Sequence, residues 1–185
     1  MKLKDIASIN SGYFSSTIKE GDVYYLQARD FDENKKINLN LKPSLSYVKN
    51  IEKHFLSKGD ILIVAKGASF QSVVYDGTYG PAVASTVFLV IRVKDRNKLL
   101  PHFLSWFLNL QKTQLVLLSK GEGTAMPTLS KKILLELDIV TPSIILQNNI
   151  IKIEELRQKE KFLQKMIVDL IEKRNNQLII NAINK

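Results

Sequence analysis

The residues that could carry catalysis in this chain are few and do not form a recognisable catalytic set. His54 and His102 are the only histidines among 185 residues, and neither has a carboxylate at a spacing typical of metal ligands. Asp60 and Lys66 flank a predicted strand as in some nucleases, but the intervening acidic residue that such a metal site needs is missing. Because there is no cysteine, the sequence offers no thiol nucleophile, disulfide or zinc–thiolate site. These patterns predict a chain without a catalytic or metal site.

Motifs for nucleotide cofactors do not occur either. The pair Gly121-x-Gly123 follows a predicted helix, whereas a dinucleotide-binding glycine motif follows a strand. The sequence has no Walker motif for nucleotide hydrolysis and no Asp/Asn-Pro-Pro-Tyr-like motif for methyl transfer to amino groups. We therefore predict a non-enzymatic chain that needs no cofactor.

The charge balance suits a polyanionic partner. Lys and Arg number 27 against 18 Asp and Glu, which gives a formal net charge of +9. Such an excess favours a phosphate backbone, because neutralising phosphates releases condensed counterions. The alternative is a lysine-rich surface that contacts only water. Charge alone does not decide between these two interpretations.

No segment predicts a membrane span or a secretion signal. The longest apolar runs, such as Ile61–Ala65 and Val87–Ile91, have the length of strands. The first residues, Met1–Asp5, lack the apolar region of a signal peptide. We expect a cytoplasmic protein with no membrane partner.

The elements that must position any functional residue fall into two parts, and residues 1–142 predict an α+β domain with a β-rich centre. Pro101 at a first helical position predicts a helix to about Ser119, with Trp106 on its buried side, and Ser130 predicts the cap of a short helix. Leu3–Ile9 is compatible with either a short helix or a strand. Apolar and β-branched runs predict strands at Val23–Gln27, Ile61–Ala65, Val73–Tyr75 and within Val83–Val93.

Residues 143–185 predict one long C-terminal helix. All eight glycines and all five prolines lie in the first 142 residues, so nothing breaks the remainder. At ~1.5 Å rise per residue such a helix measures roughly 55–60 Å, too long to bury its apolar side against its own domain. We expect a partner helix, and the alternative is a C-terminal helix that folds back on its own core. The predicted coiled-coil seam, with two polar interruptions, consists of Ile153, Leu156, Glu160, Leu163, Ile167, Leu170 and Arg174.

A series of short motifs recurs in a family-specific order. The opening group is Leu3-x-Asp5-Ile6 with Ser11-Gly12, then Lys58-Gly59-Asp60-Ile61-Leu62 and Lys66-Gly67. The closing group is Gly123-Thr124-x-x-Pro127-x-Leu129-Ser130, Leu134-x-x-Leu137-x-Ile139-x-x-Pro142 and Gln147 before the long helix. This order resembles the specificity subunit of Type I restriction–modification systems over essentially the whole chain.

The resemblance implies a role for each part and for partner chains. Residues 1–142 would be a target recognition domain that reads double-stranded DNA, and residues 143–185 a helix for dimerisation and spacing. An adenine methyltransferase subunit and a restriction/translocase subunit would be the protein partners. In that family a full-length subunit has two such domains and two helical regions in tandem, whereas this sequence resembles one of each. We therefore expect a half subunit that forms a homodimer through antiparallel helices, which would bring Glu160 within about one turn of the partner copy's Arg174.

Candidate DNA contacts are polar side chains in loops or at strand ends of residues 1–142. Arginine suits guanine, glutamine suits adenine, and serine and threonine adapt to either. Phe70 could wedge or pack beside them, and Glu122 lies in the last of these loops. The candidates are Gln27, Arg29, Lys66, Ser69, Gln71, Tyr79, Ser85, Thr86, Lys120 and Thr124.

A second interpretation is open at this stage. The chain could be an interaction scaffold, or a truncated remnant, that assembles through its helix and no longer reads DNA. Methylation of a defined DNA motif would separate the two, because only a functional reader produces it.

Overall fold

The computed structural model describes residues 1–31, 37, 40–123 and 126–183. The chain forms two compact units, Met1–Gln147, which we call the head, and Asn148–Lys185, which we call the helical unit. The division lies inside the last helix, after its first turn. The reason is that the amide of Gln147 is buried and bonded to residues of the head, as shown below.

The central element of the head is a four-stranded antiparallel sheet. Its order is β1-β6-β3-β4, with Ile9 opposite Ile91, Leu62 opposite Val90, and Leu62 opposite Val73 on the other side. The strands are β1 (Ala7–Ser11), β3 (Ile61–Val64), β4 (Ser72–Val74) and β6 (Phe88–Val93). The continuous apolar runs that predicted β3 and β6 are explained by burial, since nearly every residue in them is covered.

A small parallel sheet packs on one face of the central sheet. It pairs β2 (Tyr24–Leu26) with β5 (Ala82–Ala84). Leu26 and Ala84 share a core cluster with Leu62, Phe88 and Tyr75. The predicted stretch Val83–Val93 thus contains two strands in different sheets, separated by a turn at residues 85–87.

Helices cover the opposite face. α2 (Pro101–Asn109) packs on β4, and α4 (Lys131–Leu135) packs on β1. The Ser130 hydroxyl accepts from the N–H of Ile133 (3.4 Å), so the predicted cap is present. Residues Leu3–Ile9 contain both predicted alternatives, because α1 (Leu3–Ile6) leads directly into β1.

The helix predicted from Pro101 to Ser119 is broken in the structure. α2 ends at Asn109, α3 (Gln111–Lys120) begins after Leu110, and Leu110 is extended (φ −60°, ψ 137°). Trp106 is half-buried and packs against Phe103, with ring centroids 5.4 Å apart. The break has a structural reason, because it lets side chains on both helices reach the same strand.

The long helix is present as α5 (Ile144–Ile183), 40 residues without interruption. Gln147, in its first turn, is its one buried residue in the described part of the chain. Among the described residues, no helix is long and apolar enough to cross a bilayer.

Candidate nucleic-acid interface

The loops at one end of the central sheet come together because β1 and β3 end there while β4 and β6 begin there. The N–H of Gly12 donates to the carbonyl of Phe88 (3.0 Å), and the N–H of Ala65 donates to that of Val87 (2.8 Å). The N–H of Val64 donates to the carbonyl of Gln71 (2.9 Å). We call loops 12–14, 65–71 and 85–87 at this end of the sheet the loop edge.

Four of the predicted DNA contacts are exposed on the loop edge. They are Lys66, Ser69, Gln71 and Thr86. Gly67 has φ +133°, a conformation that favours glycine and lets the chain turn after Lys66. Phe70 is fully buried, so it anchors the loop from below and does not act as a wedge. The exposed polar side chains of loop 65–71 therefore project from backbone that the buried Phe70 anchors.

Two short stretches that follow α3, residues 121–123 and 126–129, join the loop edge. Glu122 and Thr128 exchange backbone hydrogen bonds of 3.0 and 2.8 Å. The N–H of Leu129 donates to the carbonyl of Ala65 (2.8 Å), and that of Gly67 to the carbonyl of Pro127 (3.2 Å). The structure thus places Lys66 and Glu122 on opposite sides of Thr128, with which each forms an antiparallel bridge, although Lys66 is far from both in sequence.

Two further predicted contacts, Lys120 and Thr124, belong to this part of the sequence. Lys120 ends α3, is exposed, and lies close enough to Asp138 to help lower the pKa of that carboxyl, although the larger cause is the hydrogen bond from Lys2. Lys120 therefore has an acidic neighbour on the protein. Thr124 lies outside the described residues.

Gln27 and Arg29 lie beside the loop edge. They follow β2, and the N–H of Ser85 donates to the carbonyl of Leu26 (2.9 Å), which holds the end of β2 against the turn at 85–87. Arg29 is exposed and Gln27 is half-buried in a short 3₁₀ turn, where its N–H donates to Asp30 (2.7 Å). Arg29 is therefore the freer of the two side chains.

Two predicted contacts are not exposed on the loop edge: Ser85 is buried within it, and Tyr79 lies elsewhere. Ser85 is 4% exposed, and its hydroxyl has no hydrogen-bond partner among the described residues. The chain after β1 covers it closely, since a Cβ on Gly12 would lie 1.9 Å from the Ser85 carbonyl oxygen. Tyr79 precedes β5, at the opposite end of that strand, with its ring 4.7 Å from that of Tyr24. Burial is the main cause that raises the pKa of Tyr79.

One exposed aromatic residue on the loop edge was missed by sequence reasoning. Phe14 is 82% exposed and follows Tyr13, which pairs with Ser85. Its neighbours Ser15–Thr17 made the loop look like an ordinary polar connection. An aromatic side chain in such a loop, directly after a predicted strand and Gly12, was the available signal.

The residues considered for catalysis have structural neighbours. Asp60 is fully buried at the start of β3 and accepts two hydrogen bonds from Arg92, of which the Nε bond is 2.7 Å. The hydrogen bond to Asp60 is the main cause that raises the pKa of Arg92. The ring of His54 packs against Tyr13 at 5.1 Å, and His102 is exposed on α2. Within the described ranges, no three His, Asp or Glu side chains are grouped as metal ligands.

The helical unit presents a second candidate surface. Every residue from 155 to 183 is exposed within the single chain. The apolar seam residues are about half exposed: Ile153 58%, Leu156 55%, Leu163 47%, Ile167 56% and Leu170 60%. Glu160 and Arg174 are also exposed. An apolar stripe of this length is typical of a helix that meets another helix.

Comparisons with known proteins agree with this architecture. The family described as Type I restriction modification DNA specificity domain (Methylase_S) matches residues 1–179. No match is found among curated proteins.

Solved structures share the fold at low sequence identity. A chain from work on complex assembly and conformational transition of the type I R-M system has TM-score 0.65 and 17% identity over 89% of this chain. The HsdS subunit from Thermoanaerobacter tengcongensis has TM-score 0.60 and 17% identity over 90%. The Type-I restriction-modification S subunit from M. genitalium has TM-score 0.56 and 14% identity over 86%. This chain covers 39%, 43% and 38% of those chains, respectively.

Proposed function

Because this chain belongs to the family of Type I restriction modification DNA specificity domains, we propose that its head reads a short DNA sequence for separate catalytic chains. These would be an adenine methyltransferase subunit and a restriction/translocase subunit. In this proposal the chain contributes sequence recognition and no chemistry of its own.

The observation that carries the proposal is the composition of the loop edge. Lys66 and Gln71 lie in the connection between β3 and β4, Thr86 lies in the turn before β6, and all three are exposed at the same end of the central sheet. A lysine suits phosphate and a glutamine suits an adenine edge. The exposed Arg29 and Phe14 extend the same surface with a guanine-reading group and an apolar contact for a thymine methyl.

We propose further that two copies pair through their helical units. The half-exposed apolar seam supports this, because burying it against a second helix removes that surface from water. An antiparallel pair would place Glu160 near the partner copy's Arg174, and opposite charges in the seam favour that orientation. A homodimer would thus supply two heads from one half-length chain.

Methylation sequencing tests the proposed function directly. The chain is expressed with its methyltransferase in a host that lacks other methylation systems, and methylated adenines are mapped. Two identical heads related by a two-fold axis must read the same half-site in opposite orientations. The expected motif is therefore an interrupted palindrome, with half-site centres no more than about 15 base pairs apart for roughly 50 Å of helix at ~3.4 Å per pair.

Each outcome of that experiment has a distinct meaning. An interrupted palindrome supports both the DNA-reading head and the homodimer. Two different half-sites would retain the DNA-reading head but replace the homodimer by a pair with a second, non-identical specificity chain. Methyltransferase that binds the chain but leaves no defined motif would favour the scaffold interpretation instead.

A further inference from the structure

β4, which Gln71 directly precedes, is an edge strand whose outer side is covered by side chains rather than by another strand. Among the described residues, β4 pairs only with β3. Backbone groups in an antiparallel strand point alternately to either side, and those of Gln71 and Tyr75 point toward β3, where they bond Val64 or the two residues that precede the strand. The backbone groups of Phe70 and Ser72 must therefore point outward. An unpaired edge would leave them without partners.

Two amide side chains bond these outward groups. The Phe70 N–H donates to Oε1 of Gln114 (2.9 Å), and Nε2 of Gln114 donates to the Phe70 carbonyl (2.9 Å). The Ser72 N–H donates to Oδ1 of Asn109 (2.8 Å), and Nδ2 of Asn109 donates to the Ser72 carbonyl (2.8 Å). Each amide thus presents a donor and an acceptor together, as a neighbouring strand would. We call Asn109 and Gln114 the amide pair.

The break between α2 and α3 makes this arrangement possible. Residues five apart on one continuous helix point roughly 140° from each other, because each residue turns the helix by ~100°. Asn109 and Gln114 could not both face β4 from such a helix. The extended Leu110 reorients α3, and Nε2 of Gln114 also donates to the Leu108 carbonyl (2.7 Å). Gln114 is thereby held by three hydrogen bonds in a site where it is 8% exposed.

The amide pair restrains the backbone on both sides of one exposed residue. Phe70 and Ser72 are fixed from the helix side, and both side chains are buried. Gln71 lies between them, is exposed, and its carbonyl accepts from Val64 on the sheet side. Side chains alternate along a strand, so that of Gln71 points away from those of Phe70 and Ser72. The direction in which Gln71 leaves the backbone is therefore set by bonds on both sides.

We propose that Asn109 and Gln114 are positioning residues for base reading by Gln71. This inference rests on the proposed function of the head. A bidentate contact to an adenine edge requires a side chain held within about 0.5 Å of the productive geometry. The amide pair acts on that geometry through the backbone and itself contacts no base.

The test is a double-mutant cycle on DNA discrimination by the full chain. The probe is a duplex carrying the methylated motif, compared with duplexes in which each base pair is changed in turn. Gln71→Ala should lower discrimination at one position by roughly 5- to 150-fold, which corresponds to ~1–3 kcal/mol. Asn109→Asp keeps the acceptor for the Ser72 N–H but loses the donor to its carbonyl, and Asn109 is only half-buried, so this variant should fold. It should lower discrimination about tenfold at the same position.

The coupling separates positioning from general destabilisation. In the Gln71→Ala background, Asn109→Asp should change discrimination less than about twofold, because the side chain that it positions is gone. Gln114→Met should also lower discrimination at this position, by more than Asn109→Asp does. In the Gln71→Ala background it too should have less than about a twofold effect. Its matched control is Gln147→Met, since Gln147 also accepts one hydrogen bond, from Leu100 (2.9 Å), and donates two, to Lys98 and Pro142 (2.9 and 2.8 Å). That control should lower stability without changing the position read by Gln71.

The outcomes distinguish this inference from the proposed function. If the Asn109→Asp variant folds and discriminates between the duplexes as well as the wild type does, the inference is overturned and the proposed function is not. The same would follow if Asn109→Asp lowered discrimination equally with and without Gln71. A wild-type chain that binds all duplexes equally would overturn the proposed function as well.

Discussion

The head covers most of its large apolar side chains, whereas the helical unit leaves most of its apolar side chains exposed. In the head, Leu62, Val83 and Leu134 come from distant parts of the sequence and are each fully covered. In the helical unit, Leu163 and Leu170 lie two turns apart on one helix and stay half exposed. The head therefore completes its own core, whereas the apolar stripe of the helical unit is exposed in the single chain. Stability of the head should be independent of concentration, and that of the helical unit should depend on association.

Charging the seam should have the largest effect. We expect the double variant Leu163→Lys and Leu170→Lys to be monomeric and to lose cognate DNA binding, because four added charges would face each other across a dimer seam. Light scattering and DNA binding measure the two effects. The matched control is Gln158→Lys with Asn175→Lys, which adds the same charge at exposed positions outside the seam.

Two results would contradict this view of the helical unit. One is a double variant that remains dimeric. The other is a wild-type chain that is monomeric at tens of micromolar, alone and with its methyltransferase. The first would place the interface elsewhere, and the second would remove the half-subunit proposal itself.

A substitution in the core of the head should lower the stability of the head without affecting dimerisation. Leu62→Ala should lower the free energy of unfolding of the head by ~2–5 kcal/mol and leave the dimer intact, because Leu62 is 0% exposed. Leu156→Ala, at 55% exposed, should weaken dimerisation and leave the unfolding of the head nearly unchanged. The only tryptophan, Trp106, lies in the head, so its fluorescence during denaturation measures the head separately. Equal effects of both variants on both measurements would mean that the two units fold as one.

The sequence predicted most reliably those elements whose signal is local. Continuous apolar runs predicted β3, and the distribution of glycine and proline predicted α5. Ser130 as a helix cap depends only on its own turn, and it was predicted correctly. The family was also predicted from the order of short motifs, and the match over residues 1–179 confirms it.

The features that were missed depend on long-range contacts. No local signal marks Leu110 as a break, because leucine favours a helix and the break is stabilised by bonds from Asn109 and Gln114 to residues about forty positions earlier. Ser85 resembles an accessible turn residue until Gly12 is seen to pack against it. The DNA-contact assignments on Lys66 and Gln71 remain predictions.

Three lysine variants test whether DNA binding depends on a defined surface of the head or on net charge. Lys66→Ala should weaken binding to all DNA sequences and lower the slope of log affinity against log salt by about one, because one phosphate contact is lost. Lys58→Ala, at the other end of β3, and Lys161→Ala, in the helical unit, remove the same charge from exposed positions. Neither should change the slope. An equal loss in all three would mean that binding follows net charge rather than a defined surface.

The smallest effect is expected from Phe14, which tests the loop edge without touching any core. Phe14→Ser should change the free energy of unfolding by no more than about 0.5 kcal/mol, because the side chain is already 82% exposed. If the ring contacts a thymine methyl, affinity for the cognate duplex should fall a few-fold, and uracil in place of that thymine should remove the difference between variant and wild type. Ile18→Ser, in the same connection and 44% exposed, is the control. Equal affinities of the Phe14 variant and wild type for the cognate duplex would restrict DNA contact to the polar residues of the loop edge.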